Sequence, residues 1–319
     1  MDIRQLRYFV GIADRGSLSS AAGHLGVAQP SLSQHIMHIE EELGVQLLVR
    51  STRGITLTES GKRLYHHAQG ILGALEAAVA DLREHGGELR GPVSFAFPSS
   101  VSNVLTVPLA ETIRNDYPKV MLRAMDAMSG YVQAWLSEGA IDFGILYDVN
   151  AVRHLRSRPL LVENLFLVAA ADAWSGAIGP GGIALEPVAL ADAIGLGLIL
   201  PHRSHGLREM IERFADASHI RLDVALEMDS LSQIKVMVAR GSAYTILAHA
   251  AVSEEIRRGE LVLVPISDPA MQRTVYLVTN PARPMTRAAK AVERVAINIV
   301  VELVRKGLWL GQLIPQSQA

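Results

Sequence analysis

The chain has 319 residues, 49% of them hydrophobic, and a formal net charge of −2 at pH 7. This length and apolar content predict more than one folded domain, and the charge balance does not by itself indicate a nucleic-acid partner. The absence of cysteine excludes disulfides and thiol-based metal or redox sites, and fits the reducing cytosol. Charged residues interrupt the apolar runs, so we expect no signal peptide, no membrane span and a cytoplasmic location.

The first 58 residues predict three short helices and a β-hairpin. The apolar face of the first helix consists of Leu6, Phe9, Val10 and Ala13. Ser17 is a good N-cap for the second helix, and Gly26 allows the left-handed exit that ends it. Pro30 suits the first position of the third helix, where its missing N–H is not needed. The second and third helices, with the tight turn between them, are typical of a helix–turn–helix.

The third helix has an apolar face and a polar face. We expect its buried stripe to consist of Leu32, Ile36, Ile39 and Leu43. Small hydroxyl and amide side chains occupy the first turns of the other face, where such groups can hydrogen-bond base edges in the major groove. The alternative is a helical hairpin that only packs against its neighbours.

The segment from 45 to 58 predicts a hairpin wing. Two short apolar runs flank the arginine-rich, glycine-containing sequence 50–54, and an arginine at such a tip can enter the minor groove or contact phosphate. The candidate DNA-contacting residues are Gln29, Pro30, Ser31, Ser33, Gln34, His38, Arg50 and Arg53.

The segment 1–86 resembles the N-terminal region of LysR-type transcriptional regulators. The matching motifs are RQLRYF (4–9), GSL with AA (16–18, 21–22), VAQPSLS (27–33), IE with LG (39–40, 43–44) and RG with LTESG (53–54, 57–61). Within the family, Gln34 and the stretches 47–50 and 65–68 are similar to the nitrogen assimilation control branch. Gln34 stands where arginine is more usual, which changes base preference or phosphate affinity, and Leu48 replaces a phenylalanine, which changes packing.

A long helix is predicted after Thr58, which is suited to cap it. Its apolar positions alternate steps of four and three, as in the seam of a two-stranded coiled coil. They are Leu64, Ala68, Ile71, Leu75, Ala78 and Leu82. The alternative is a helix packed on its own domain, whereas the resemblance favours a linker helix at 59–89 through which two chains form a homodimer. The glycines and proline of 86–92 mark a hinge.

From residue 90 to 319, short apolar strands alternate with helices, which predicts an α/β fold with open, mainly parallel sheets. The resemblance continues in GAIDFGI (139–145), LFLV (165–168) and GSAYTIL (241–247). It implies a periplasmic-binding-protein-like effector domain of two α/β subdomains joined by two crossover strands. We assign subdomain I to about 90–160 and 268–305, and subdomain II to about 161–267.

In open α/β sheets, ligands bind beyond the carboxyl ends of the strands and near helix N-termini. Three loops have this placement, and the family fold implies that they converge on one cleft. The candidate effector-binding residues are Ser99, Ser100, Ser129, His202, Arg203 and His205. We expect a small anionic metabolite whose strongest contact is Arg203. The alternatives are ordinary helix capping by the serines and a surface turn at 201–206.

The sequence contains little that indicates other chemistry. His66 and His67 are adjacent on a helix and face different directions, so we expect no shared metal site. Motifs of hydrolases, zinc enzymes and phosphate-binding loops are absent from the sequence. We therefore expect no catalytic residues, no cofactor and no enzymatic activity, and the remaining enzymatic alternative is a hydrolase that uses Ser99 or Ser100.

These observations together predict a cytoplasmic LysR-type regulator that binds an interrupted inverted repeat in double-stranded promoter DNA and responds to a small effector. Its other expected partners are a second copy through the linker helix, a second dimer in a homotetramer, and RNA polymerase. The alternative is a constitutive regulator of the nitrogen assimilation control type, in which the cleft holds no effector.

Overall fold

The computed structural model of the protein describes residues 1–51, 54–83 and 88–315. Its N-terminal part consists of helices α1 (Ile3–Arg15), α2 (Leu18–Leu25) and α3 (Gln29–Leu43) and the antiparallel strands β1 (Leu48–Ser51) and β2 (Gly54–Leu57). As predicted, Ser17 caps α2 and Gly26 ends it in the left-handed conformation. Helix α3 begins one residue earlier than expected, so Pro30 is its second residue. This part is a helix–turn–helix with a wing.

A compact apolar core holds these elements together. Its fully buried members include Phe9, Ile12, Leu32, Ile36 and Ile39. The prediction that Leu43 completes the buried stripe is wrong, because this side chain is 42% exposed. Leu43 is the last residue of α3, and Gly44 turns the chain away in the left-handed conformation. Leu47 and Leu48 enter the core instead.

Helix α4 (Glu59–Arg83) follows the wing, and Thr58 caps it by accepting the Gly61 N–H at 2.9 Å. Leu64 packs against the N-terminal core and Ala68 is buried. Further along, Ile71 is 44% exposed. The predicted seam is therefore only partly covered within one chain, and the side chain of Leu82 lies outside the described residues.

The rest of the chain confirms the predicted alternation of strands and helices. The strands are β3 (Gly91–Phe97), β4 (Val120–Asp126), β5 (Phe143–Leu146), β6 (Arg156–Ala170), β7 (Val188–Ala189), β8 (Leu198–Leu200), β9 (Val224–Glu227), β10 (Thr245–Ala248), β11 (Leu261–Ser267), β12 (Gln272–Thr279) and β13 (Gln312–Leu313). The helices are α5 (Ser99–Asp116), α6 (Ser129–Glu138), α7 (Leu190–Ile194), α8 (Gly206–Ala217), α9 (Leu231–Ala239), α10 (His249–Arg257) and α11 (Arg287–Arg305). Within the described ranges, no helix is both long and apolar enough to cross a membrane.

The main sheet has the strand order β4-β3-β5-β12-β6-β11-β7, with β10 and β13 also paired to β6. Strand β3 runs parallel to β4 and β5, whereas β12 runs antiparallel to β5 and β6. The sheet is therefore mixed rather than mainly parallel. The difference arises because β6 and β12 carry the chain between the subdomains in opposite directions.

Two subdomains are visible as separate cores on these strands. In the first, α5 and α11 cover one face of the sheet and α6 covers the other. In the second, α7, α8, α9 and α10 pack around β8, β10, β11 and the C-terminal half of β6. Strand β6 contributes to both cores, and β12 pairs with it. A rotation of one subdomain relative to the other would therefore bend these two strands.

Candidate functional sites

The polar face of α3 is open to solvent. Its exposed members are Gln29, Pro30, Gln34 and His38, and its half-buried members are Ser31 and Ser33. Ala28 occupies the N-cap, so no side chain covers the free N–H groups of the first turn. Free N–H groups at a helix start bind phosphate, and amide or hydroxyl side chains beside them can reach base edges.

The wing and α1 hold α3 in a fixed position. Glu40 on α3 accepts the N–H groups of Leu47 and Leu48 at 2.7 and 3.1 Å, which ties the start of the wing to the helix. The ring of His35 packs on Tyr8 of α1 with centroids 5.0 Å apart. In the wing itself, Arg50 is exposed on β1, while Arg53 lies outside the described residues.

A cavity of about 340 Å³ lies between the two subdomains. The starts of α5, α6 and α8 meet there, as expected for ligand sites of α/β folds. Of the predicted effector-binding residues, Ser99, Ser100, Ser129 and His205 line it. Other polar side chains in its wall are those of Gln133, Tyr147, Asp148, Ser204, Glu209, Arg213, Asp229 and Arg273.

Two of the predicted residues, His202 and Arg203, are not part of the cavity wall. The Arg203 side chain is 74% exposed, and its Nε lies 3.5 Å from Glu212 Oε1. The His202 N–H donates to Asp229 Oδ1 at 2.9 Å, and its Nδ1 lies 3.2 Å from Ser204 Oγ. The loop therefore turns these two side chains outward while it presents the next ones to the cavity.

Arg273 on the crossover strand β12 is a cavity arginine that sequence reasoning missed. It is 6% exposed, and its Nε donates to Oε1 of the buried Glu163 on β6 at 2.7 Å. Trp309 Nε1 donates to the other Glu163 oxygen at 2.6 Å. On the cavity side, the guanidinium lies 3.5 Å above the Tyr147 ring, and Nη2 is 3.5 Å from Ser100 Oγ. The two crossover strands are thus joined by a buried ion pair at the edge of the cavity.

A signal for this pair was present in the sequence. Arg273 and Glu163 are opposite charges that each adjoin an apolar strand sequence. Because a buried charge needs a partner, two such residues indicate each other. Nothing in the local sequence places Arg273 at the cavity, because that depends on how the two strands cross.

The helix starts at the cavity differ in how they are capped. Pro98 and Met128 stand at the N-caps of α5 and α6 and make no side-chain cap, although hydroxyl and carboxylate residues are favoured there. By contrast, His205 caps α8, because its Nδ1 accepts the Leu207 N–H at 3.2 Å. Burial, and then the positive charge of Arg273, lower the pKa of His205, so its neutral, accepting form is favoured.

The cavity serines are not helix caps, contrary to the alternative interpretation. Ser99 donates to Asp126 Oδ1 at 2.6 Å, and Ser100 lies 2.6 Å from the Tyr147 hydroxyl. Both serines are the first residues of α5 rather than its N-cap. The N–H groups at the start of this helix therefore remain available to a ligand.

The cavity wall carries more uncompensated negative than positive charge. Of its two arginines, one is paired with the buried glutamate, and Arg213 Nη1 lies 3.8 Å from Asp148 Oδ2 across the cleft. Glu209 and Asp229 have no lysine or arginine at ion-pair distance in the part of the chain that the structure describes. Within that part, no group of three His, Asp or Glu side chains could hold a metal ion.

A winged helix–turn–helix, a linker helix and a two-subdomain domain with a cavity define a DNA-binding transcription regulator with a ligand-binding domain. The chain belongs to the LysR family: residues 3–62 match the bacterial regulatory helix-turn-helix protein family of lysR type, and residues 86–297 match the LysR substrate binding domain. The predicted family and fold class are confirmed.

Named relatives agree with this assignment. The chain is 32% identical to the nitrogen assimilation regulatory protein nac of Klebsiella aerogenes, over 94% of this chain and 95% of the relative. A full-length OxyR variant from Pseudomonas aeruginosa has a TM-score of 0.73 at 23% identity, over 100% of this chain and 99% of that one. Full-length CbnR complexed with its target DNA has a TM-score of 0.65 at 20% identity, over 93% and 99%. The resemblance to the nitrogen assimilation branch is confirmed by the first of these.

Proposed function

We propose that the protein is a cytoplasmic regulator that binds promoter DNA, responds to a small effector and catalyses no reaction. The observation that carries the effector part is the position of the cavity. Its walls come from both subdomains, so a ligand held there favours one angle between them over the others. A ligand that bound equally well at every angle between the subdomains would not shift the distribution of angles.

The DNA contacts are made by α3 and the wing. The polar face of α3 reads base edges in the major groove, its uncapped start contacts phosphate, and the wing arginines contact the backbone or minor groove. The contacting residues are Gln29, Pro30, Ser31, Ser33, Gln34, His38, Arg50 and Arg53. Two such heads on a symmetric dimer fit an interrupted inverted repeat.

The effector carries an anionic group, which is held by Arg273 and Ser100 beside the uncapped starts of α5 and α6. Ser99, Ser129 and His205 complete that part of the site. Arg203, for which the sequence predicted the strongest contact, takes no part, because its side chain is exposed and near Glu212.

The assembly follows from α4. Its exposed Ile71 and the predicted seam support a homodimer through this helix, and two dimers form a homotetramer in which closure of the cleft changes the spacing of the DNA-binding heads. RNA polymerase is the partner that this spacing affects. Against the hydrolase alternative, the hydroxyls of Ser99 and Ser100 are bonded to Asp126 and Tyr147, not to a histidine base.

The DNA contacts are tested with Gln34→Ala and a specific site selected from random duplexes. Loss of one amide contact should cost about 1–3 kcal/mol on the selected site and relax one base position. Binding to random DNA should change little, as measured by fluorescence anisotropy at fixed salt. Equal losses on both DNAs would mean that Gln34 contacts only the backbone.

The effector is tested by thermal unfolding with a panel of small organic acids that includes the standard amino acids. A ligand at a hundred times its Kd should stabilise the folded state by about 2.7 kcal/mol. Ser100→Ala should weaken this stabilisation, whereas Arg203→Ala should leave it unchanged as a matched control outside the cavity. Stabilisation by no panel member would favour the constitutive regulator.

A further inference from the structure

The first-subdomain wall of the cavity presents N–H donors, apart from Asp148, which faces Arg213 of the other wall at 3.8 Å. The starts of α5 and α6 both face the cavity without a side-chain cap, and a helix start carries about half a positive charge. Arg273 lies beside the first of them. Of its five N–H donors, Nε serves Glu163 and Nη2 approaches Ser100, which leaves donors for a ligand.

The second-subdomain wall presents two exposed carboxylates besides the Arg213 side chain that faces Asp148. Glu209 and Asp229 line it, and no lysine or arginine lies at ion-pair distance from either within the described residues. The start of α8 does not add a free positive end, because His205 caps it and Glu209 lies in its first turn. Apart from the Arg213–Asp148 pair, the first-subdomain wall therefore offers N–H donors and the second-subdomain wall offers carboxylates.

This polarity restricts which ligands fit. A ligand with only anionic groups would bring a like charge towards the exposed Glu209 and Asp229, which opposes binding. A ligand with only a cationic group would lie near the like charge of Arg273 and would cover the two helix starts without accepting from their N–H groups. A ligand that satisfies both walls carries one charge of each sign.

We propose that the effector is a zwitterion of amino-acid size, whose carboxylate lies at the starts of α5 and α6 beside Arg273 and whose ammonium group lies between Glu209 and Asp229. This inference rests on the proposed effector site and deepens it by naming the class of ligand. A volume of about 340 Å³ is at the lower end for small-molecule sites, which fits a molecule of this size. Because its two ends contact different subdomains, such a ligand holds the cleft closed.

The experiment uses the full chain and the twenty standard L-amino acids, with binding measured by calorimetry and by thermal unfolding. Each hit is compared with its deaminated acid and its decarboxylated amine. The amino acid should bind at least about tenfold more tightly than either singly charged analogue.

Charge-removing variants then locate the ammonium group. Glu209→Gln and Asp229→Asn should each weaken the amino acid by about tenfold while they leave the deaminated acid unchanged or bound more tightly. Glu186→Gln, an exposed carboxylate of the same subdomain outside the cavity wall, is the matched control and should change neither.

The possible results distinguish failure of the zwitterion class from failure of the effector site itself. Equal or tighter binding of the deaminated acid, with no effect of Glu209→Gln, overturns the zwitterion and leaves an anionic effector in place. Binding of organic acids but of no amino acid also overturns the zwitterion and leaves an anionic effector in place. If neither class binds, the effector site itself is rejected and the inference is rejected with it.

Discussion

Arg273 shows how much depends on a single buried charge. Its partner Glu163 is 1% exposed and holds Trp309 through its second oxygen. Arg273→Met should destabilise the regulatory part by about 3–5 kcal/mol, because an unpaired carboxylate would stay buried. Urea unfolding, followed by the fluorescence of the three tryptophans, measures this loss.

The matched double variant tests whether the loss comes from the unpaired charge. Arg273→Met with Glu163→Gln removes both charges, and the glutamine oxygen can still accept the Trp309 N–H. The double variant should be more stable than Arg273→Met alone, because the buried groups are then neutral. A double variant that is less stable than both single variants would show that the two residues act independently.

At the residue scale, the sequence predicted well which side chains are exposed on a helix face. It predicted poorly which side chains reach the cavity near the strand crossings. The exposed face with Gln34 and His38 follows from helical period alone. Arg203 was predicted to contact the effector because it lies in a loop that follows a strand. Adjacent side chains of such a loop point in different directions, and here the neighbouring Ser204 and His205 line the cavity instead. Arg273 reaches the cavity through long-range strand pairing, which no local pattern contains.

Helix α8 depends on a cap that titrates. His205 accepts the Leu207 N–H only while its Nδ1 is unprotonated, and burial together with Arg273 keeps its pKa below the ordinary 6.5 despite the opposing charges of Asp229 and Glu209. As pH falls below about 6.5, the unfolded chain takes up a proton that the folded chain resists. The free energy of unfolding should therefore fall until the folded-state pKa is reached, and then level off.

His205→Asn separates this effect from other titrations. Asparagine is a good N-cap that does not titrate, so the variant should lose less stability than the parent as the pH falls from about 7.5 to about 5.5, a range that spans the ordinary histidine pKa. Urea unfolding at a series of pH values measures the difference. Because burial also lowers the pKa of His249, some pH dependence should remain in the variant. Identical slopes for the two proteins would exclude the cap as the cause.

The start of α4 depends on a glycine that the family motif contains but that sequence reasoning did not explain. A β-carbon on Gly61 would lie well inside contact distance of the Leu47 carbonyl oxygen, which already accepts the Thr58 N–H at 2.9 Å. Gly61→Ala should therefore separate α4 from the wing and cost about 1–3 kcal/mol.

Gly70→Ala is the control on the same helix. Nothing lies within 4 Å of a β-carbon at Gly70, so alanine there should stabilise α4 by about 0.5–1 kcal/mol. The two variants should shift urea unfolding of the N-terminal domain in opposite directions. Equal shifts would show that helix propensity, and not the approach to Leu47, determines the effect.

At the element scale, the sequence predicted the order of strands and helices because apolar runs and periodicity are local. It did not predict the mixed sheet. The apolar run 165–170 predicts only the C-terminal part of β6, since the preceding part carries Arg156, Arg158 and Glu163. That preceding part is a strand because β12 pairs with it, a tertiary contact with no local signal.

At the scale of the whole molecule, α6 connects the cavity with the linker helix. Its first residue, Ser129, lines the cavity, and its C-terminal turn is held by Asn280, whose side chain donates to the Leu136 carbonyl at 3.0 Å. The same loop after β12 places Arg283 against Gly139, which ends α6, and against Gly73 on α4. Helix α6 thus joins the cavity wall at its start to the neighbourhood of α4 at its end.

This arrangement predicts that Arg283 couples the effector to DNA. Coupling is reciprocal, so an effector that changes DNA affinity by some factor has its own affinity changed by DNA by the same factor, typically about 5–150-fold. In Arg283→Ala, the side chain that bridges Gly139 at the end of α6 and Gly73 on α4 is lost, and we expect that factor to fall towards one while each affinity measured alone is retained. Effector binding is titrated with and without the specific DNA, for the parent and the variant. Lys290→Ala, an exposed residue of the neighbouring helix α11, serves as the control. Coupling that survives in Arg283→Ala would mean that the signal reaches the linker helix by a route other than the Arg283 side chain.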